Sequence, residues 1–346
     1  MSDLHLRASV ACLALLVTVG CTNEQSASAP QSPSPSASPS TSTSTPSPAS
    51  GPSSSPTTAS PASPTASVGR TPATGPPGDN RGGFEAGEAM TDVRLLAGEI
   101  GPRLATGPAF RRAGRSVGSR LRGLGYRVSF QSFPVPAGDS WGVPVGAGRS
   151  FNVVAVPPGF DPAQPHRLVG AHLDTVAVAP GAEDNASGVA VLLGLTRLAS
   201  RQDTALPTVF VAFGAEEPRG PADDQHHYGS RHYVATMPAP ATRSLRAMAS
   251  LDRVGVGGVV PVCTGPLDDG SVQQAVLRVA RRIDVPAQPC ENTASDHWSF
   301  EKAGFPVVRF GSTSYAAYHS ADDVPAVVSP AQLARTGRLA WAWLRG

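Results

Sequence analysis

Between Gly82 and Gly346 short apolar runs alternate with amphipathic segments, and this alternation restricts what the chain can fold into. A strand must hide an apolar face and a helix an apolar stripe, so strict succession of the two predicts helices on both faces of a largely parallel sheet. Strands are expected at YRVSFQSFPV (126–135), FNVVAVPP (151–158), RLVGAHLDTV (167–176), TVFVAFGAEE (208–217, central), RAMASLDRVG (246–255) and PVVRFGS (306–312). Helices are expected at 91–100, at 109–125 with Gly123 and Gly125 stopping it, at 185–200 fully buried, at 271–283, and at 329–346 opened by Ser329 and Pro330. No internal repeat is visible. The fold class is α/β, a three-layer α/β/α sandwich around a mostly parallel mixed sheet.

The first 80 of the 346 residues cannot contribute to that core. Residues 8–20, ASVACLALLVTVG, form an apolar stretch after Arg7 that is too short to span a bilayer and ends at TVGC, the pattern of a signal peptide (1–20) cut before a lipid-bearing Cys21. Thr18 departs from that pattern, and a plainly secreted protein or an uncleaved anchor are the alternatives. Residues 21–80 are Ser, Pro, Thr and Ala with almost no charge or large apolar side chains, so they bury too little surface to offset ordering entropy and read as a disordered tether. The expected location is therefore outside the cell membrane, held by the lipid alone or released, with residues 81–346 as one globular, monomeric domain.

Cys12 leaves with the signal and Cys21 with the lipid. Cys263 and Cys290 remain, in a domain that export places in an oxidising compartment; a disulfide between them is expected, two buried thiols being the alternative. A net charge of +2, without a concentrated basic patch, argues against nucleic acid as a partner.

Several expected strands end in ionisable residues: His172 and Asp174 in GAHLDTV, Asp184 in GAEDNASG, Glu216 and Glu217 in GAEEPRG, Asp252 in SLDRVG and His319 in YHSADD. In open α/β sheets ligands bind outside the carboxyl ends of strands. Imidazole and carboxylate are the donors that hold borderline cations such as zinc. Taken singly each residue has a structural reading: Asp184 as a helix N-cap, Asp252 as an ion-pair partner of a nearby arginine, Glu216 and Glu217 as a solvated turn.

Their joint order, His-x-Asp, then Asp-Asn before a glycine-containing helix, then Glu-Glu, Asp and Tyr-His, resembles the M28 family of co-catalytic zinc aminopeptidases over roughly residues 85–346. The resemblance implies a zinc-exopeptidase-like fold, hydrolysis of N-terminal residues from peptides, and two zinc ions per chain. One ion would be held by His172, Asp184 and Asp252, the other by Asp184, Glu217 and His319, with Asp184 bridging. Glu216 would be the general base and Tyr318 a donor to the tetrahedral oxyanion. Asp174, two residues after His172, falls on the same side of an extended chain and is placed to orient the imidazole without being a ligand itself. SDHWSF (295–300) recurs near the substrate pocket of such enzymes and also reads as a helix start capped by Ser295 or Asp296.

Arg253 departs from the family, where Met or a similar residue is common, and the loop after Glu217 is longer than in the smallest members. His226, His227 and His232 in that loop are read as bystanders. The stretch from Pro134 to Ser150 is too short for a protease-associated insert. Two other activities fit the fold: a one-zinc glutaminyl cyclase-like enzyme, suggested by that loop and YGSRH (228–232), and a non-catalytic binding module, which would be expected to lose ligands that this chain retains.

Overall fold

In the computed structural model, which describes residues 83–346, the chain enters through α1 (Ala86–Val93), continued by a wider helical segment over Arg94–Ile100, and α2 (Pro108–Gly123). The signal segment, Cys12, Cys21 and the tether lie outside the described residues. α2 ends in a Schellman turn: Gly125 holds φ +90°, its N–H donates to Arg122 O at 2.9 Å and Tyr126 N–H donates to Leu121 O at 3.1 Å.

Strand β1 (Arg127–Val135) follows, then the small hairpin β2 (Gly138–Ser140) and β3 (Val143–Val145), then β4 (Gly148–Val156) and β5 (His166–His172). A helical turn at Ala182–Ser187 leads into α3 (Gly188–Ala199), and β6 (Thr208–Phe213), α4 (Tyr228–Thr236), α5 (Ala239–Ser244) and β7 (Leu245–Asp252) come next. The chain closes with β8 (Val260–Thr264), α6 (Ser271–Arg282), β9 (Ala287–Glu291), α7 (His297–Glu301), β10 (Val307–Gly311) and α8 (Pro330–Arg345). Ser329 caps α8, its hydroxyl accepting from Gln332 N–H, with Pro330 in the first turn.

Eight strands form one sheet in the order β1-β4-β6-β5-β7-β10-β8-β9. The inner strands β6, β5, β7 and β10 run parallel; β4 pairs antiparallel with both β6 and β1 on one side, and on the other β8 is antiparallel to β10 and parallel to β9. Alternate residues of β6 serve opposite faces: Phe210 and Ala212 join the core beneath α1, α2, α3, α6 and α8, whereas Val209, Val211 and Phe213 pack with Phe300 of α7 and Tyr233 of α4. The molecule is thus an α/β/α sandwich around a mixed sheet. Helix α3 is buried on nearly every side, as its uninterrupted apolar composition requires.

Phe84 fixes the start of the fold. Its ring sits so close to Gly194 of α3 and Gly337 of α8 that a Cβ on either glycine would lie 2.4 Å from it. The hairpin β2–β3, the strands β8 and β9 and the helices α4 and α5 were not evident from the alternating pattern, whereas α7 follows the helix start expected at SDHWSF. A three-residue strand or a six-residue helix is too short to show a period, and Pro289 disguises β9, an edge strand where proline is tolerated. Cys263 and Cys290 face each other in the β8–β9 register and are joined by a disulfide.

Candidate metal centre

Because β5, β6, β7 and β10 are parallel, their carboxyl ends lie at one edge of the sheet. His172 ends β5, Asp252 ends β7, Glu216 and Glu217 follow the end of β6, and His319 lies in the loop after β10. The backbone turns sharply there: Ala215, Arg253 and His319 hold left-handed φ of 54°, 55° and 53°. Each such residue costs on the order of 1 kcal/mol, strain that surrounding structure must offset and that is concentrated at functional sites.

Asp184 lies between the two imidazoles. Its Oδ1 is 3.0 Å from His172 Nε2 and its Oδ2 is 3.3 Å from His319 Nε2. Glu217 Oε2 reaches the same His319 nitrogen at 3.2 Å, and Asp252 Oδ1 stands 3.8 Å from His172 Nε2. Asp184 thus stands within reach of both imidazoles, His172 on one side and His319 on the other. Donor atoms of His172, Asp184 and Glu217 lie within 4.8 Å of one another, as do those of His172, Glu216 and Asp252. Asp184 does not cap a helix: Asn185 does that work, its side chain accepting from Gly188 N–H at 2.9 Å and donating to Leu251 O at 2.9 Å. The Glu-Glu pair is buried, so it is no solvated turn.

The donor set suits cations. Glu217 Oε1 is buried with no hydrogen-bond partner, a costly state that a bound cation relieves; Asp252 Oδ1 also lacks a hydrogen bond, although the Arg309 guanidinium lies 3.2 Å away. Burial, reinforced by neighbouring carboxylates, pushes Glu216 and Glu217 each up to about 8. Burial alone would lower His319, but Glu217 and Asp184 outweigh it and carry the imidazole up to about 10. His172 is raised well above its usual value in the same way, against burial, by Glu216, Asp184 and Asp252. These four groups favour their protonated forms, whereas, against burial, the imidazoles hold Asp184 ionised and Arg309 and His172 hold Asp252 ionised.

Further residues hold these donors in place. Asp174 accepts from the N–H groups of Glu216 (3.1 Å) and Glu217 (3.2 Å), fixing the turn that carries both glutamates. Its carboxylate stays 3.9 Å from His172 Nδ1; the atom that meets this nitrogen is the Asp174 carbonyl, at 3.2 Å. Asp323 accepts from Glu183 N–H (2.8 Å) and Asp184 N–H (3.1 Å) and thereby seats the shared carboxylate. Arg309, fully buried on β10, lies 3.2 Å from Asp252 Oδ1. With burial opposing, it is the main influence holding the Asp252 carboxyl well below its usual range. Asp323 and Arg309 were missed in the sequence, although an arginine inside the apolar run PVVRFGS was a visible signal.

At the mouth Tyr318 stacks on His319 with centroids 3.7 Å apart, and the Arg253 guanidinium lies 4.6 Å from the Tyr318 ring centre. Burial and the nearby carboxylates Asp184 and Glu217 raise the phenol, which stays a protonated donor. Trp141, at the tip of the β2–β3 hairpin, sets its ring edge on His319 at 4.3 Å. The cavity over the ligands is small, about 80 Å³. A larger one of about 660 Å³ adjoins it through Trp141, Pro218 and His226.

Two readings need correction. His227 is no bystander in an exposed loop: it is 4% exposed and its Nε2 lies 3.2 Å from Glu216 Oε1. Neither Ser295 nor Asp296 caps α7; Ser295 pairs with Ser250 across 2.9 Å, and the Asp296 side chain makes no cap. Ala294, just before this segment, does line the metal cavity.

Comparison with known proteins places these observations in a family. The chain is 27% identical over 221 residues to leupeptin-inactivating enzyme 1 of Streptomyces exfoliatus, covering 63% of this chain and 46% of that protein. It is 29% identical over 185 residues to aminopeptidase YwaD of Bacillus subtilis, covering 50% and 39% respectively. The chain thus spans less than half the length of these relatives. In fold it is similar to BSAP, a zinc aminopeptidase from Bacillus subtilis (TM-score 0.67, 19% identity, 75% of this chain and 94% of that one). It is also similar in fold to Porphyromonas gingivalis glutaminyl cyclase (TM-score 0.65, 24% identity, 75% and 98%). The profile of peptidase family M28 matches residues 152–344, more than half of the 346 residues and the stretch that carries every proposed ligand, and the chain belongs to that family.

Proposed function

We propose that the protein is a metal-dependent aminopeptidase that removes N-terminal residues from peptides with two zinc ions. The observation that carries this reading is Asp184, whose two oxygens address His172 and His319 separately. His172, Asp184 and Asp252 would hold one ion, and Asp184, Glu217 and His319 the other. When bound, the ions supply Lewis acidity and lower the pKa of the attacking water.

The chain's own groups do the rest. Glu216 takes the proton of the attacking water and returns it to the leaving amine, a role suited to a buried carboxylate that is not needed as a ligand. Tyr318 donates to the oxyanion of the tetrahedral intermediate. Asp174 and Asp323 hold the glutamate turn and Asp184, and Arg309 steadies Asp252. The test is turnover of a panel of aminoacyl anilides with and without chelator, alongside an N-terminal glutaminyl peptide. Chelator-sensitive release of free amino acid supports the reading; cyclisation of the glutaminyl peptide without release would replace it by the cyclase.

We also propose that residues 81–346 are the catalytic domain of an exported protein tethered through Cys21. Intact mass of the chain from isolated membranes should show an acylated Cys21 as its first residue. A first residue at Met1 would contradict export by this route.

A further inference from the structure

We propose that His227 is a positioning residue for Glu216, holding one carboxylate oxygen so that the other faces the metal ligands. The proposal rests on the reading of Glu216 as the general base. His227 Nε2 lies 3.2 Å from Glu216 Oε1, while Glu216 Oε2 points the other way, 3.9 Å from His172 Nε2. A carboxylate with neither oxygen held turns about its last side-chain bond, a broad torsion; one anchored oxygen fixes the plane of the group.

The backbone sets the pair as firmly as the side chains do. His227 N–H donates to Glu216 O at 2.9 Å and Tyr228 N–H donates to Ala215 O at 2.8 Å, so the two turns are stitched together. His227 itself holds a left-handed φ of 56°, which turns its ring inward at the start of α4. The loop between Glu217 and His227 is anchored at Asp223, whose carboxylate accepts from Trp298 Nε1 at 2.8 Å and Lys302 Nζ at 2.6 Å. Arg219 N–H donates to Gln225 O at 2.9 Å within it. This loop thus delivers a buried imidazole to Glu216.

Burial lowers the pKa of the His227 ring to about 4, so at neutral pH the ring carries one N–H. Nδ1 is buried without a hydrogen-bond partner, which leaves Nε2, facing Glu216, as the nitrogen with a group to serve.

The test compares His227→Ala, His227→Leu and His227→Gln with Glu216→Gln and the double variant Glu216→Gln/His227→Ala, measuring kcat, KM and zinc content of each full-length protein. Loss of the anchor should lower kcat about ten- to a hundredfold in the Ala and Leu variants, the scale of a misplaced catalytic group, with KM and zinc unchanged. Gln, which keeps an N–H, should restore most of kcat, and the double variant should be no slower than Glu216→Gln alone. The proposal is overturned if Ala and Leu both turn over within about twofold of wild type, or if the Gln variant is as slow as they are. An equal further loss on the Glu216→Gln background would also overturn it. Should Glu216→Gln alone keep the wild-type rate, the base assignment fails and this role with it.

Discussion

Glu216 and Glu217 are chain neighbours whose carboxylates part company: Glu217 Oε2 meets His319 at 3.2 Å, and Glu216 Oε1 meets His227 at 3.2 Å on the other side of the turn. Identical groups in adjacent positions thus face different partners. Glu217→Gln replaces a charged donor with a weak neutral one and should lower zinc content, with activity partly restored by added zinc. Glu216→Gln keeps the donors proposed as ligands, so zinc should stay while kcat falls by about 10²- to 10⁴-fold, beyond rescue by metal. Zinc lost from Glu216→Gln and kept by Glu217→Gln would reverse the two roles.

The disulfide ties β8 to the edge strand β9 across 27 residues of chain. Closing a loop of that size restricts the unfolded state and contributes about 2 to 4 kcal/mol. A Cys263→Ala/Cys290→Ala variant should unfold at correspondingly lower denaturant, with zinc content and turnover retained, since neither sulfur reaches the metal ligands. Unchanged stability would show that the bond adds nothing to the fold.

His297 gives a pH signature of stability. Its ring is fully buried, its Nε2 lies 2.7 Å from Asn292 O, and burial, with Arg309 adding to it, lowers it to about 3. The unfolded chain protonates this group near pH 6.5 and the folded chain does not, so its contribution is complete above pH 6.5 and is lost as pH falls toward 3. Between pH 7 and pH 5 that share is about 2 kcal/mol. In chelator-treated protein, His297→Asn should therefore lose less stability over this interval than wild type. An identical loss in both would contradict a neutral buried His297.

The cluster was legible in part because His172 and Asp252 close apolar runs, with Glu216 and Glu217 just past another, and parallel strands bring such ends to one edge; Asp184, in the helical turn Ala182–Ser187, and His319, in the loop after β10, are not strand ends. What held those ligands was not legible. Asp323 serves the amide of Asp184 from 139 residues away, and no local pattern announces such a pairing. His226 and His227 look alike in sequence, yet only the second is buried against Glu216. Asp174 illustrates a subtler limit: its spacing from His172 suggested a carboxylate aimed at the ring, but β5 ends at His172, the chain turns, and the carboxylate goes instead to the two glutamate amides. At the start of α7 the Ser295 hydroxyl, a cap candidate by sequence, is instead taken by Ser250.

The claim on which all of this depends is that Asp184 joins two cation sites. Zinc per chain, measured by mass spectrometry of the purified wild type and of Asp184→Ala, tests it most directly. The account predicts about two zinc ions in the wild type and loss of both, with most of the activity, in the variant. About one zinc in a fully active wild type, or two retained in a folded Asp184→Ala, would contradict it.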